Sequence, residues 1–378
     1  MRRGIVCLCI SVSLLFTGCF NYRDINKLLF TTAMVIDIDE DKNPVVYIEA
    51  FRSVESTANG EKMVFRGEGK TIFEALRVIN LRTSYRFNVT QTKVYMFSQK
   101  AAEYGIDNFL DFFHRDQEFL VRPYLCVYVG DPAALMALDV RETKYIGIFT
   151  DRLLDNIGTS SRAVQMTIND YYNQRLIGDK TSIVTLLEMK KDAGEVAKLF
   201  INGGAVVKKD KMIDSISREE GQGFNFLLDN VESGTLEIKN PDFPGSFVTL
   251  EILKSGTKTK MEYDGDRIKL IKNIKVNTSL AEVQKGLRIN PGNLKDIQET
   301  SENNIKAACY HIFDKYKEKK VDIFDIRDDF ERNFPGKEIN DVSDIIEKTD
   351  LVVNVKVQIE SGVDDLDFIN AEETGKDV

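Results

Sequence analysis

The sequence predicts an α+β fold of several domains, in which helices pack on mixed and antiparallel sheets. Two patterns and the chain length support this prediction. Runs rich in β-branched residues alternate with segments of helical periodicity, and turn residues separate neighbouring strands as in antiparallel hairpins. The chain of 378 residues is also too long for one compact core. We therefore expect three domains.

The first predicted domain spans residues 27–195 and begins with a β-hairpin. Leu28–Asp39 and Pro44–Phe51 are rich in β-branched residues and are separated by a short polar segment, which predicts two antiparallel strands. The elements predicted after the hairpin are a helix at Thr71–Ser84, a strand at Thr90–Ser98, a helix at Lys100–Phe113, a strand at Tyr124–Val129, a short helix opened by Asp131 and Pro132, and mainly helix and loop at Tyr145–Leu187. The charged segment Lys190–Lys198 predicts the domain junction.

The second and third predicted domains span residues 196–266 and 267–378. The strands predicted for the middle part include Leu199–Lys209, Phe247–Leu253 and Thr257–Tyr263, and a tight turn at Asp264–Asp266 leads into Ile268–Val276 as in an antiparallel meander. The elements predicted for the carboxyl-terminal part are the longest helix at Asn293–Lys317, a shorter helix at Ile323–Phe334 and a strand at Asp350–Ile359.

The amino terminus has the plan of a lipoprotein signal peptide at residues 1–18. Arg2 and Arg3 form a basic start, and the apolar run after them is too short to span a bilayer as a stable helix. Thr17 and Gly18 then place small side chains before Cys19, as in a lipobox. We expect cleavage before Cys19, diacylglycerol and N-acyl groups such as palmitate on that residue, and a lipidated tether at residues 19–26. The alternatives are a simple secretory peptide and an uncleaved amino-terminal anchor.

The charge balance limits the partners that the protein can have. The chain carries 51 Lys and Arg against 60 Asp and Glu, a net charge of −9, and loss of Arg2 and Arg3 with the signal peptide makes the mature chain more acidic still. Such acidity argues against a nucleic-acid partner. It would also keep the body of the protein off an anionic lipid surface, so membrane attachment should depend on Cys19.

Two cysteines remain once Cys7 and Cys9 are removed with the signal peptide and Cys19 carries lipid. Cys126 and Cys309 could form one disulfide in an oxidising compartment. We favour two buried free thiols, because large exported domains rarely need a single bridge.

Several motifs resemble catalytic or cofactor sites, and none meets the requirements of the chemistry. Gly67–Thr71 lacks the earlier glycine of a phosphate loop and fits a turn and a helix cap better. The triplet His114–Asp116 matches a kinase catalytic loop, but Val121 stands where a magnesium-binding Asn is required. The two histidines, His114 and His311, lack metal-ligand spacing, and acidic runs such as Asp325–Asp329 are typical of solvated faces. We therefore expect no catalytic residue, no cofactor and no metal site.

Four stretches, in order along nearly the whole chain, share the pattern of one known family. They are Gly18–Asn26 with the VIDID strand after it, Phe112–Glu118, Gly204–Met212 with Arg218–Gly223, and the carboxyl-terminal part from the long helix to VVNVKVQIESG. These stretches resemble the Ger(x)C family, the lipoprotein C subunits of bacterial spore germinant receptors. The chain departs from the family pattern at Phe20, where the family has Trp, and at the turn Asp322–Asp325.

The resemblance implies a non-enzymatic receptor subunit, needed for assembly or signalling in nutrient-triggered spore germination. Its implied partners are a multi-pass A subunit and a permease-like B subunit, and its implied place is the outer face of the spore inner membrane, where its lipid holds it. We expect Phe20, Tyr22, Arg23, Arg115 and Asp116 to contact the membrane or a partner subunit. For the first three, a plain spacer is the alternative.

Two other functions stay open at this stage. A lipid-anchored solute-binding or hydrolytic protein of vegetative cells would share the signal peptide, but a solute-binding protein should show two lobes of alternating helices and parallel strands. This chain instead predicts hairpins and meanders. A lipoprotein chaperone for another complex cannot be separated from a receptor subunit by sequence. Direct germinant binding by this subunit is not predicted, because no pocket signature is visible.

Overall fold

The structure is a computed structural model that describes residues 27–54, 57–115, 118–140, 142–190, 197–337 and 344–360. Within these residues the strands form two sheets, one of nine strands and one of four, with helices packed against both. The α+β prediction is therefore confirmed. We refer to the nine-stranded sheet as sheet 1 and to the four-stranded sheet as sheet 2.

The elements have the following bounds. Sheet 1 contains β1 (Leu28–Ile38), β2 (Pro44–Val54), β3 (Thr57–Glu68), β4 (Arg86–Asn88), β5 (Val94–Ser98), β6 (Tyr124–Val129), β7 (Thr181–Lys190), β8 (Lys198–Lys208) and β9 (Lys211–Ile216). Sheet 2 contains β10 (Gly234–Lys239), β11 (Phe247–Tyr263), β12 (Ile268–Val283) and β13 (Thr349–Ile359). The α-helices are α1 (Ile72–Asn80), α2 (Gln99–Tyr104), α3 (Asp107–Arg115), α4 (Pro132–Ala137), α5 (Ile146–Asp155), α6 (Ile168–Gln174), α7 (Arg218–Leu227), α8 (Pro291–Glu318), α9 (Ile326–Asn333) and α10 (Asp344–Glu347).

Sheet 1 has a parallel centre and antiparallel flanks. Its strand order is β3-β2-β1-β5-β6-β7-β8-β9, and β4 pairs with the start of β1. The strands β1, β5, β6 and β7 run parallel and have helices on both faces. For this reason all five residues of β5 are buried, and the strand reads as a run without polar alternation.

The two faces of sheet 1 bury separate cores. On one face, Met34 and Phe97 pack with residues of α1, α2, α3 and α6. On the other face, Val35 and Met96, their neighbours along the same strands, pack with residues of α4 and α5. This alternation fixes the strand register, because a slip by one residue would exchange the two faces.

Sheet 2 shares a core with the far end of sheet 1. Its inner face packs against α8, and the predicted helical stripe is confirmed, since Ile297, Ile305, Cys309, Ile312, Phe313 and Tyr316 are all buried. The same cluster includes Ile183, Val206 and Ile216 from β7, β8 and β9. One continuous apolar core therefore joins the two sheets.

The predicted middle domain, residues 196–266, has no sheet of its own. β8 and β9 extend sheet 1 by pairing next to β7, whereas β10 and β11 begin sheet 2. The predicted junction falls largely on residues 191–196, which lie outside the described residues. The domain boundaries and the three-domain division stay predictions.

Several local elements are as predicted, and others differ for identifiable reasons. The β1–β2 hairpin, the Asp131 helix cap and the turn after Tyr263 are confirmed. β7 lies where helix and loop were predicted, because a strand buried on both faces gives no alternating pattern. Arg218–Leu227, for which no element was predicted, forms α7, and Ser217 and Glu220 open this helix with a capping box.

A fully buried carboxylate ties α5 to sheet 1. Glu49 on β2 accepts hydrogen bonds from Thr32 Oγ1 at 2.5 Å and from the backbone N–H groups of Ile146 at 2.8 Å and Gly147 at 2.9 Å. Lys62 Nζ on β3 lies 3.2 Å from the same carboxylate. Because an ionised group inside a protein is stable only when it is paired and hydrogen-bonded, these four partners act together. Glu49 therefore fixes the amino-terminal end of α5 against β1, β2 and β3.

We expect Glu49→Gln to lower the free energy of unfolding by about 3 kcal/mol, because the amide nitrogen cannot accept a hydrogen bond and Lys62 loses its counter-charge. Urea denaturation followed by circular dichroism measures the change. Glu251→Gln, at an exposed strand position, is the matched control and should change the free energy by less than about 0.5 kcal/mol. Equal effects of the two substitutions would contradict the role of Glu49.

Candidate functional site

Most of the predicted contact residues lie outside the described residues. These are Cys19, Phe20, Tyr22, Arg23 and Asp116, whose roles therefore stay predictions. Arg115 is described: it ends α3 and is exposed, and its Nε donates to the two carboxylate oxygens of Asp111 at 2.7 and 2.8 Å. Of the predicted contact residues, the structure therefore describes Arg115.

Arg115 lines an open pocket of about 840 Å³ at one edge of sheet 1. The pocket lies where β1 and β3 end, between the β1–β2 turn, the β3–α1 loop and the helices α1 and α3. Its lining includes the cations Lys42, Lys70 and Arg115 and the aromatic residues Phe73, Tyr104, Phe109 and Phe112. Open α/β sheets commonly bind ligands beyond the carboxyl ends of their strands, so this pocket is the candidate functional site.

The pocket is basic although the protein as a whole is acidic. Lys42 and Lys70 are exposed, and neither forms a salt bridge with a described carboxylate. The charge of Arg115 is balanced by Asp111. The exposed ring of Phe73 lies under the guanidinium group of Arg77, at 4.7 Å from the ring centroid. The pocket therefore offers two unpaired cations and an accessible aromatic ring.

The Gly67–Thr71 loop forms one wall of the pocket, and helix capping determines its shape. Thr71 Oγ1 accepts a hydrogen bond from the N–H of Glu74 at 3.1 Å, and the Glu74 carboxylate accepts one from the N–H of Lys70 at 2.7 Å. A Cβ at Gly67 would lie 2.3 Å from the carbonyl oxygen of Ala75, so glycine allows α1 to pack directly on β3. These contacts confirm the interpretation as a turn and a helix cap.

The histidines and cysteines serve no shared site in the described part of the chain. His114 is exposed next to Tyr172, and His311 lies 3.8 Å from Glu220 at the surface. No group of three or more His, Cys, Asp or Glu able to hold a metal occurs among the described residues. Cys126 and Cys309 are buried free thiols, as we favoured, and burial raises the pKa of Cys309 to about 12.

A buried carboxylate cluster follows α8, just before the acidic run Asp325–Asp329 that the sequence predicted to be a solvated face. Asp322 is 3% exposed and accepts hydrogen bonds from the N–H groups of Phe324 at 3.0 Å and Arg327 at 2.9 Å. Asp179, just before β7, accepts one from the N–H of Asp322 at 3.4 Å and pairs with Lys208 Nζ at 2.7 Å. The acidic run Asp325–Asp329 follows directly, and its three aspartates are half-buried rather than solvated as predicted, because the α8–α9 loop docks against sheet 1.

Burial and mutual repulsion raise the pKa values in this cluster. Burial raises the pKa of Asp322, and burial together with neighbouring carboxylates raises the pKa of Asp325 to about 7. Asp325 also adopts a left-handed backbone conformation with φ 55°. Lys272, 3% exposed, donates to Thr259 Oγ1 at 2.9 Å, and burial lowers its pKa. Sequence reasoning missed this cluster, because acidic residues around a helix start usually mark exposed caps.

Comparison with known proteins assigns the family. A model described as spore germination protein N-terminal domain matches residues 21–189, and one described as spore germination B3/GerAC like, C-terminal, matches residues 202–362. The chain belongs to the Ger(x)C family of spore germination proteins. The resemblance to the Ger(x)C family found in the sequence is thus confirmed along nearly the whole of this chain.

Individual relatives match over most of their length. Spore germination protein GerQC of Bacillus cereus is 23% identical over 328 residues, covering 86% of this chain and 89% of that protein. Spore germination protein KC of Bacillus subtilis (strain 168) is 22% identical over 374 residues, covering 90% of each chain. The crystal structure of the GerBC protein matches with a TM-score of 0.55 at 16% identity, covering 87% of this chain and 97% of that chain. This last likeness shows a shared fold.

The raised pKa of Asp325 predicts a pH-dependent effect of Asp325→Asn on stability. Between about pH 4 and pH 7 the unfolded chain releases this proton while the folded protein keeps it, so the Asp325 carboxyl destabilises the fold increasingly as the pH rises. We expect the variant to be more stable than the wild type by roughly 1 to 3 kcal/mol at pH 8, with the difference vanishing near pH 4. Asparagine also tolerates the positive φ.

Urea denaturation at a series of pH values measures this difference. Asp314→Asn, at an exposed position on α8, is the matched control and should show no such pH trend. A constant difference between the Asp325 variant and the wild type across this range would contradict the assignment.

Proposed function

We propose that this protein is the lipid-anchored C subunit of a spore germinant receptor, needed for receptor assembly or signalling. The observation that carries the proposal is the family match, which extends from residue 21 to residue 362 with a short gap between the two models. The curated relatives are named as spore germination proteins, and this chain covers most of their length. We propose no catalytic role, because the matched models describe spore germination proteins and not a known enzyme family.

Lipid on Cys19 would hold the folded body close to the membrane surface. No helix among the described residues is long and apolar enough to cross a membrane. β1 begins nine residues after Cys19, and a segment of that length spans at most about 30 Å. We propose that Cys19 holds the protein on the outer face of the spore inner membrane and that Phe20, Tyr22 and Arg23 lie near the lipid headgroups.

The basic pocket is the proposed contact with a partner subunit. Its unpaired lysines and its exposed Phe73 ring complement an extended acidic segment that carries an apolar side chain. We propose that such a segment of the A or the B subunit occupies the pocket and meets Lys70 and Arg115. Phe73 would supply the buried aromatic contact that interfaces of this kind need for affinity.

We expect Cys19→Ala to abolish both membrane retention and receptor function, because the thiol that carries the lipid is lost. Dipicolinate release after a germinant mixture and protein level in the inner-membrane fraction are measured on the same spores. Asn21→Ala keeps the cysteine and serves as the control, with release within about twofold of the wild type. Unchanged release from Cys19→Ala spores that lack the protein in the membrane would contradict the proposal.

We expect the double variant Lys70→Glu/Arg115→Glu to reduce recovery of the A and B subunits with the tagged protein by about tenfold, because two cations facing an acidic segment are reversed. Exposed ion pairs contribute at most about 1 kcal/mol, so the level of the variant itself should stay normal. Lys100→Glu with Arg152→Glu, at exposed positions on other helices, is the matched control. Equal recovery in both variants would refute the pocket as a subunit contact.

A further inference from the structure

Sheet 2 has one face in the core and one face turned to solvent. Along β12, Leu270, Ile274 and Val276 are buried under α8 and α9, and the intervening Lys269 and Lys275 are exposed. The register carries this alternation across to β11 and β13. The outward positions of the three strands therefore form a single open surface.

Lysine dominates this outward surface. Six lysines occupy it, Lys254, Lys258 and Lys260 on β11, Lys269 and Lys275 on β12, and Lys356 on β13. We call this set the lysine face. The outward positions of the same strands carry four carboxylates, Glu251, Glu262, Glu282 and Asp350. Of these, Glu262 pairs with Lys260 and Asp350 pairs with Arg267. Six lysines thus outnumber four carboxylates on this surface, although the chain as a whole has a net charge of −9.

Four members of the lysine face lack a neutralising partner. Among the described residues, no carboxylate forms a salt bridge with Lys254, Lys258, Lys275 or Lys356. Lys275 and Lys356 also lie directly opposite each other on neighbouring strands. Like charges at such positions destabilise a sheet, so folding alone does not account for this arrangement.

We propose that the lysine face docks on the anionic headgroup surface of a lipid bilayer. No aromatic residue or arginine stands at the outward positions between these lysines, and the exposed Phe247 lies at the far end of β11. Aromatic residues and arginine are the usual anchors of protein interfaces, whereas lysine is depleted there. Point charges spread over three strands suit a diffuse anionic surface, where each lysine adds to the attraction. The inference rests on the proposed function, because a protein held by lipid on Cys19 would gain from this face a second contact that orients its body.

The uneven charge distribution also revises an expectation drawn from composition. Net acidity predicted that the body would stay off an anionic lipid surface. Charge acts over about 8 Å at physiological salt, so a bilayer against sheet 2 experiences the lysine face rather than the net charge of the whole chain. The local sign of the surface decides the contact.

Vesicle binding of the mature chain, residues 19–378 with Cys19→Ala, tests this proposal, since neither an acyl chain nor the signal peptide then contributes. The chain is mixed with vesicles of phosphatidylcholine alone or with about one third phosphatidylglycerol, and partitioning is measured by sedimentation at low and high salt. We expect anionic vesicles to bind the protein more tightly, and Lys275→Gln/Lys356→Gln to weaken that preference about tenfold or more. Lys100→Gln/Lys337→Gln removes the same charge from exposed positions elsewhere and should leave the preference unchanged.

A second variant separates a role in binding from a role in folding. Lys356→Glu places a carboxylate opposite Lys275, so we expect the thermal midpoint to rise while the preference for anionic vesicles falls. If both lysine-face variants bind anionic vesicles as the control does, the proposal is wrong. If vesicle binding is unchanged and the variants instead lose receptor subunits on purification, the face is a protein interface and the bilayer proposal is equally overturned. Neither result bears on the Cys19 experiment in spores, so failure here leaves the proposed function standing.

Discussion

Burial of both faces of sheet 1 is the constraint on which the rest of the structure depends. Parallel strands at its centre need crossover connections, and the helices in those connections cover the sheet on either side. Because both faces of the sheet are covered, the ends of its strands are its accessible part. Loops and helices form the basic pocket at one of these ends. The buried carboxylate of Glu49 belongs to the same arrangement, because it satisfies the first N–H groups of a covering helix inside the core.

The joint between the two sheets is both apolar and electrostatic. A single core runs from the far strands of sheet 1 to α8, and the carboxylates Asp179 and Asp322 tie the α8–α9 loop to β7 and β8. Buried polar groups of this kind fix one relative arrangement, because any other would leave charges without partners. A receptor subunit with such a joint can present the pocket and sheet 2 in a constant orientation to its surroundings.

Net charge conceals how the surface is divided. The chain is acidic, yet the pocket at the edge of sheet 1 and the outward face of sheet 2 are both basic. In the pocket the cations stand next to aromatic rings and a cavity, which favours a peptide segment. On sheet 2 the lysines stand on an open sheet surface with no aromatic residue between them, which favours a bilayer. Positive charge in a pocket and positive charge on an open sheet therefore suit different partners.

The sequence by itself determined the family, the α+β class, the first hairpin and the long helix, because each depends on residues close together in the chain. The predicted contact at Arg115 came from the resemblance. The structure adds that Lys42 and Lys70 line the same pocket, at one edge of sheet 1. Only the tertiary structure decided that β8 and β9 extend sheet 1, that the carboxylates after α8 are buried, and that the lysines of three strands share one face. Strand pairing and burial bring together residues that are far apart in sequence, and local sequence patterns do not predict which residues those are.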